Sequence, residues 1–285
     1  MQLKYDVYIP KYVNNSLAPI ILLHSMLETK KTWLHIAPEI IKFTGRKAYA
    51  IDARNHGESP WTDEYSIDAM TNDLEEFLFQ HKINKIILVG HSIGGKVAIQ
   101  YTFRKPQSVE KLIIEDSTPR NFIKGGGRSV TLGLNMLKEL NDLIPKNKDK
   151  QKTIDFLKNI FVQFDAELGA SKEAILKYDF DILPIKWEGD SFSLHLNMDV
   201  LADAMFNHKL QQNISGTFEG DVLLLYGKKS QFKIGSDKEI LKHFPRTKKI
   251  EFENAGHFIH HVFPKEFTQE VVNFINKGSI MHSKY

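Results

Sequence analysis

The sequence predicts an α/β protein whose mostly parallel sheet is flanked by helices, and three observations carry that expectation. Short apolar runs such as Ile20–Leu23, Ile86–Val89, Leu112–Ile114 and Val222–Leu225 recur along the chain with segments of helical spacing between many of them. The runs are continuous rather than alternating, which is the pattern of strands buried on both faces of a parallel sheet. One of them ends in Gly90-His91-Ser92-Ile93-Gly94 and passes straight into Lys96-Val97-Ala98-Ile99-Gln100, reading as a strand, a sharp turn and a helix.

In chain order, Leu3–Ile9 alternates and reads as a strand at the sheet edge, and Ile20–Leu23 is a buried strand. The segment from Thr32 to Phe43 reads as a helix, and Ala48–Ile51 as the next strand, followed by the loop from Asp52 to Pro60. Ile67, Met70, Leu74, Phe77 and Leu78 are spaced for one helical face. After the Ser92 turn and its helix comes the strand Lys111–Glu115. The βα rhythm then breaks from about Asn121 to Phe218, where the chain reads as an inserted helical cap. Leu132, Met136, Leu137, Phe161 and Phe164 there recur at helical spacing. The rhythm returns with Val222–Tyr226, a helix from Asp237 to His243, the strand Lys248–Phe252 and a last helix from Pro264 to about Ile275. The expected organisation is a core in two parts, 1–120 and 219–285, with the cap at 121–218.

Composition narrows the function classes. A net charge of +3, spread along the chain, leaves no footprint for nucleic acid. There are no cysteines, so disulfides and thiolate chemistry are excluded, and a reducing compartment fits. No apolar stretch reaches the roughly 18 residues of a membrane span. An intracellular soluble protein without stable membrane insertion is the expectation, and the sequence sets no oligomeric state.

The carboxyl ends of parallel strands share one sheet edge, and ligands bind in the crevice there. That edge would gather Ser92, Asp116 and the loop Asn254-Ala255-Gly256-His257. A hydroxyl nucleophile needs a base within hydrogen-bond reach and a carboxylate to orient the base. Ser92, His257 and Asp116 supply the three, in the order Ser, Asp, His that the α/β-hydrolase fold uses. Glu115 should face away from Asp116 because strand side chains alternate. His91 should likewise point away from the serine hydroxyl, and Arg54 and His56 read as structural. His260 and His261 form an adjacent pair without an evident carboxylate or cysteine partner, so no metal site is expected.

The chain resembles the α/β-hydrolase domain-containing protein 11 family. The resemblance is carried by Leu23-His24-Ser25-Met26-Leu27, Asp52-Ala53-Arg54-Asn55-His56-Gly57, Gly90-His91-Ser92-Ile93-Gly94-Gly95, Asp116-Ser117-Thr118-Pro119, Ser230-Gln231-Phe232 and Asn254-Ala255-Gly256-His257. It implies ester hydrolysis without a cofactor, with diacylglycerol and other lipid esters as substrate class and a mitochondrial address, the cytoplasm staying open. The oxyanion would be held by the backbone N–H groups of Met26 and Ile93.

Two departures bear on this. Ser25 stands where the family usually has glycine; if the position needs a positive φ, serine there costs about 1 to 2 kcal/mol. Phe192–Asn197 stands where relatives carry Trp-Arg, which sets the acyl pocket apart. Two other functions stay open: an acyltransferase using an alcohol acceptor with the same triad, and a non-catalytic binding protein of this fold.

Overall fold

The computed structural model describes residues 1–121, 151–152, 154–155, 159, 182–188, 191–207, 209–210 and 212–277. Its centre is a seven-stranded sheet in the order β1-β3-β2-β4-β5-β8-β9. The strands are β1 (Tyr5–Tyr8), β2 (Ile20–Leu23), β3 (Ala48–Ile51), β4 (Ile86–His91), β5 (Val109–Glu115), β8 (Asp221–Gly227) and β9 (Thr247–Phe252). Only β1 at the edge runs antiparallel; every other pair in the sheet is parallel.

Side-chain alternation explains why the central strands read as unbroken apolar runs. Ile21, Leu23, Leu88, Leu112, Ile114 and Leu224 face one core; Ile20, Leu22, Ile87, Val89, Ile113 and Leu223 face the other. Helices α2 (Ile67–Gln80) and α3 (Ser92–Arg104) cover the first face, through residues such as Leu74, Phe77 and Val97. Helix α1 (Ala37–Thr44) and the C-terminal helix Pro264–Asn276 cover the second, with Ile40, Ile41, Phe267, Val271 and Ile275 inside. Each such fully buried aliphatic side chain contributes about 1.5 to 3 kcal/mol. Lys111 on β5 is also buried, and its Nζ donates to the carbonyls of Phe274, Ile275 and Lys277, closing the end of the C-terminal helix.

Register fixes the site edge. Leu23 pairs with Gly90, His91 with Glu115, and Gly227 with Phe252, so the loops after β2, β4, β5, β8 and β9 leave from the same side. The turn after β4 is tight because Gly90 and Gly94 lack side chains. A Cβ on Gly90 would lie 2.5 Å from the Gly94 carbonyl oxygen, and one on Gly94 2.5 Å from the carbonyl oxygens of Leu23 and His24. Backbone cannot give way as a side-chain end can. Gly94→Ala should therefore lower stability by about 1 to 3 kcal/mol, read as a lower thermal midpoint; an unchanged midpoint would show that the helix can slide off β2.

Several elements differ from the sequence reading. The helix expected from Thr32 to Phe43 is split into a 3-10 turn, Lys30–Trp33, and α1, which restarts with Pro38 in its first turn. The helix expected from Asp237 is confined to Ile240–His243. The inserted segment is not wholly helical where it is described. It holds a two-stranded antiparallel hairpin, β6 (Ile185–Glu188) with β7 (Ser191–Leu194), before α4 (Met198–Phe206). Its returning end is tied to the Asp52–Pro60 loop: Gly57 N–H donates to His195 O at 2.7 Å and Asn197 N–H to Asn55 O at 2.9 Å. Leu132, Met136, Leu137, Phe161 and Phe164, expected to face the core, lie outside the described residues, as does most of the expected cap.

Candidate active site

Ser92 is the first residue of α3 and is held at φ +51°, in the left-handed region that favours glycine. Such strain costs on the order of 1 to 3 kcal/mol and collects at functional sites. Neighbours hold the turn in place: Ser117 Oγ donates to the Ser92 carbonyl at 2.8 Å.

Asp116 follows β5 and is also left-handed, at φ +44°. Its amide still joins the ladder, donating to Leu225 O at 2.8 Å, while its buried carboxylate turns toward the end of β8. There it accepts three hydrogen bonds. His257 Nδ1 donates to Oδ2 at 2.6 Å, Ser230 Oγ donates to the same oxygen at 2.5 Å, and Gly227 N–H donates to Oδ1 at 3.3 Å. Ser230 is thus a second hydrogen-bond partner of that carboxylate. A proton on Nδ1 leaves Nε2 of His257 as the basic nitrogen. Phe232 packs its ring 4.5 Å from that imidazole and lines an open cavity of about 530 Å³ together with Thr118, Arg120, Lys233 and Asp237. Among the described residues Ser92 Oγ makes no hydrogen bond. Serine–base contacts are often loose without substrate and tighten when it binds.

The expected oxyanion groups are on the adjacent loops. Ile93 N–H lies in the first turn of α3, where amides have no intrahelical partner. Met26 N–H makes no hydrogen bond among the described residues. Its loop is pinned from both sides: His24 Nε2 accepts from Ala53 N–H at 3.0 Å, and His56 Nε2 lies 2.6 Å from Met26 O. Ser25 has no positive φ, so the steric cost considered for serine there does not arise.

Behind the site lies a buried polar cluster in which His260 and His261 do have carboxylate neighbours, which corrects the sequence reading. Glu28 Oε1 is 3.2 Å from His260 Nε2 and 3.1 Å from His261 Nε2. Glu115 Oε1 accepts from both the backbone N–H and Nδ1 of His260, at 2.9 and 2.8 Å. Glu28 Oε2 accepts from His91 Nδ1 at 2.9 Å, and His91 Nε2 donates to the His257 carbonyl at 3.0 Å.

Two histidines and a glutamate are a metal donor set, and the 3.2 and 3.1 Å separations from Glu28 Oε1 come near the spacing of one. Ligands about 2.0 Å from a tetrahedral ion stand roughly 3.3 Å apart. Thr32 Oγ1, however, sits 2.9, 2.8 and 2.6 Å from Glu28 Oε1, His260 Nε2 and His261 Nε2, so a hydroxyl already bridges the three by hydrogen bonds. Protons hold the cluster instead. His260 lies between two carboxylates, Glu115 and Glu28, while His91 faces Glu28 through Nδ1 and the His257 carbonyl through Nε2, so both rings are placed to carry charge. Burial opposes charge on these rings, but Glu115 and Glu28 outweigh it; His91 is raised and His260 reaches about 10. Burial likewise opposes charge on Glu28, where His91 and His260 prevail and hold it well below its ordinary value. Burial and the His260 charge push His261 down to about 4, leaving it neutral.

The alternation argument holds: His91 and Glu115 point into this cluster, away from Ser92 and Asp116. Sequence reasoning missed Glu28, Thr32 and the anchoring contact of His56, because each acts through partners distant in the chain.

With parallel order β3-β2-β4-β5-β8-β9, a serine at the turn after β4 and helices on both faces, the chain has the α/β-hydrolase fold. The sequence profile of the alpha/beta hydrolase fold matches residues 18–156. The chain is similar to the sn-1-specific diacylglycerol lipase ABHD11 of Mus musculus, 28% identical over 91% of this chain and 81% of that protein, and of Danio rerio, 29% identical over 96% and 83%. Among solved structures it is similar to a marine microorganism esterase, with 25% identity and a TM-score of 0.75 over 96% of this chain and 99% of that one. Among the described residues no helix is long and apolar enough to cross a membrane.

Proposed function

We propose that this protein is a serine hydrolase that cleaves carboxylic esters, lipid esters among them, through Ser92, His257 and Asp116. The observation that carries the reading is the 2.6 Å bond from His257 Nδ1 to Asp116, beside a serine strained to φ +51° at a strand-to-helix turn. The names of the lipase and esterase relatives support the same class of reaction.

In the mechanism, His257 Nε2 takes the proton from Ser92 Oγ as the oxygen attacks the ester carbonyl. Asp116 holds the imidazole and stabilises its charged form. Backbone N–H groups of Met26 and Ile93 receive the charge that develops on the carbonyl oxygen. His257 then gives its proton to the leaving alcohol, and water, activated by the same base, releases the acid from the acyl-enzyme.

A series of nitrophenyl esters from acetate to dodecanoate tests the substrate class, with acid released measured against ester formed when an alcohol is added. Hydrolysis that rises with chain length is expected. No turnover of any ester would sink the reading, and ester formed in excess of acid would favour the acyltransferase.

The pH profile tests the base. Burial lowers His257 from its ordinary 6.5, against the opposing hydrogen bond of Asp116, and the charge on His91 lowers it further. The base works when neutral, so a lowered value keeps it active into mild acid. The acid limb of kcat/KM should have its midpoint below 6.5. A midpoint above 6.5 would show that Asp116 outweighs burial.

A further inference from the structure

Beside each of the four elements of the proposed site stands a residue of the buried cluster. Glu28 lies in the loop of Met26, His91 precedes Ser92, Glu115 precedes Asp116, and His260 follows His257 by three residues. Glu28 ties its own loop to the strand end of His91 and to the last loop at His260. Its Oε2 accepts from Ser25 N–H at 2.8 Å and from His91 at 2.9 Å, while Oε1 meets Thr32, His260 and His261. Its own backbone N–H donates to Ser25 O at 3.2 Å, so the turn that carries Met26 is closed twice by the same residue.

We infer that Glu28 is a positioning residue for the oxyanion hole, aiming Met26 N–H by fixing the Ser25–Glu28 turn against the strand end that carries Ser92. The inference rests on the esterase reading above. The contacts give it direction. Ser25 lies at an ordinary φ, so its own conformational preference does not lock the turn, and the carboxylate supplies the lock. The same oxygen binds His91, whose other nitrogen holds the carbonyl of His257. The donor loop, the nucleophile turn and the base are therefore referenced to one buried side chain, itself 5% exposed. Charge balance keeps it in place: two carboxylates, Glu28 and Glu115, face two imidazolium rings, His91 and His260.

Glu28→Asp tests this while keeping the charge that balances the rings, since it shortens the reach to Ser25 by one methylene. The measurement is kcat and KM for a nitrophenyl ester and for its thiono analogue, whose sulfur fits an oxyanion hole poorly. Misaiming one donor should lower kcat for the oxygen ester about 10²-fold with KM within about twofold, and reduce the oxygen-over-sulfur preference at least tenfold. Glu28→Gln, which keeps the length and an amide oxygen for Ser25 N–H, should restore part of that preference. A variant with a lower melting temperature but an unchanged preference would mean that Glu28 only holds the fold, and would overturn the inference. Should neither variant fold, the wild-type amide resonance of Ser25 decides: a downfield, slowly exchanging proton is expected for a donor to a buried carboxylate, and a fast-exchanging one contradicts it. If the wild-type protein turns over no ester, the esterase reading fails, while the amide measurement still reports on the Glu28 contact.

Discussion

Ser92→Ala should lower kcat for a nitrophenyl ester by about 10⁶, as loss of the nucleophile does in other serine hydrolases, and leave a folded protein. Removing one oxygen from a side chain with no hydrogen-bond partner among the described residues breaks no contact. Alanine at φ +51° carries the same backbone strain as serine, so the thermal midpoint should move little. Near-wild-type turnover by Ser92→Ala would mean that another group attacks the ester.

Asp116→Asn should lower kcat by about 10⁴ at neutral pH with the fold retained. The acid accepts from His257 Nδ1, Ser230 Oγ and Gly227 N–H. An amide in its place brings two donors into a site that offers only donors. To relieve the clash, His257 must move its proton to Nε2 and lose the basic nitrogen that faces the serine. Asp237→Asn is the control. Its carboxylate accepts from Thr118 Oγ1 and from Glu239 N–H and pairs with Arg120, so it has partners of its own away from His257. Its kcat should stay within about threefold of wild type, in keeping with the small effect of most substitutions outside a catalytic network. A nearly active Asp116→Asn beside an inactive, folded Asp237→Asn would move the acid to the later loop.

The place of Asp116 beside His257 also illustrates what was legible. Lys111–Glu115 reads as a buried strand, and the parallel rule puts its end beside the serine, so Asp116 could be named without coordinates. Ser92 and His257 followed from local signals, the glycine-flanked turn and the Asn-Ala-Gly lead-in. The hairpin Ile185–Leu194 was missed, although Ile-Lys-Trp-Glu and Ser-Phe-Ser-Leu alternate, because four-residue strands lose to the surrounding helical pattern. Glu28 was invisible for a different reason. Its partner His91 is 63 residues away, and the bridging Thr32 is 228 residues from His260. Nothing local distinguishes a glutamate in a surface-like Leu-Glu-Thr-Lys stretch from one folded inward between three histidines. Only the meeting of β2, β4 and β5 with the last loop makes it a buried carboxylate.

One serine of this chain should be activated by His257 and Asp116. Reaction of the wild-type protein with a fluorophosphonate, followed by intact mass and peptide mapping, tests it most directly, because activation is what makes one serine reactive among many. A single adduct per chain is expected, located on Ser92 and lost in His257→Ala. No adduct, or one on another residue with Ser92 unmodified, would contradict it.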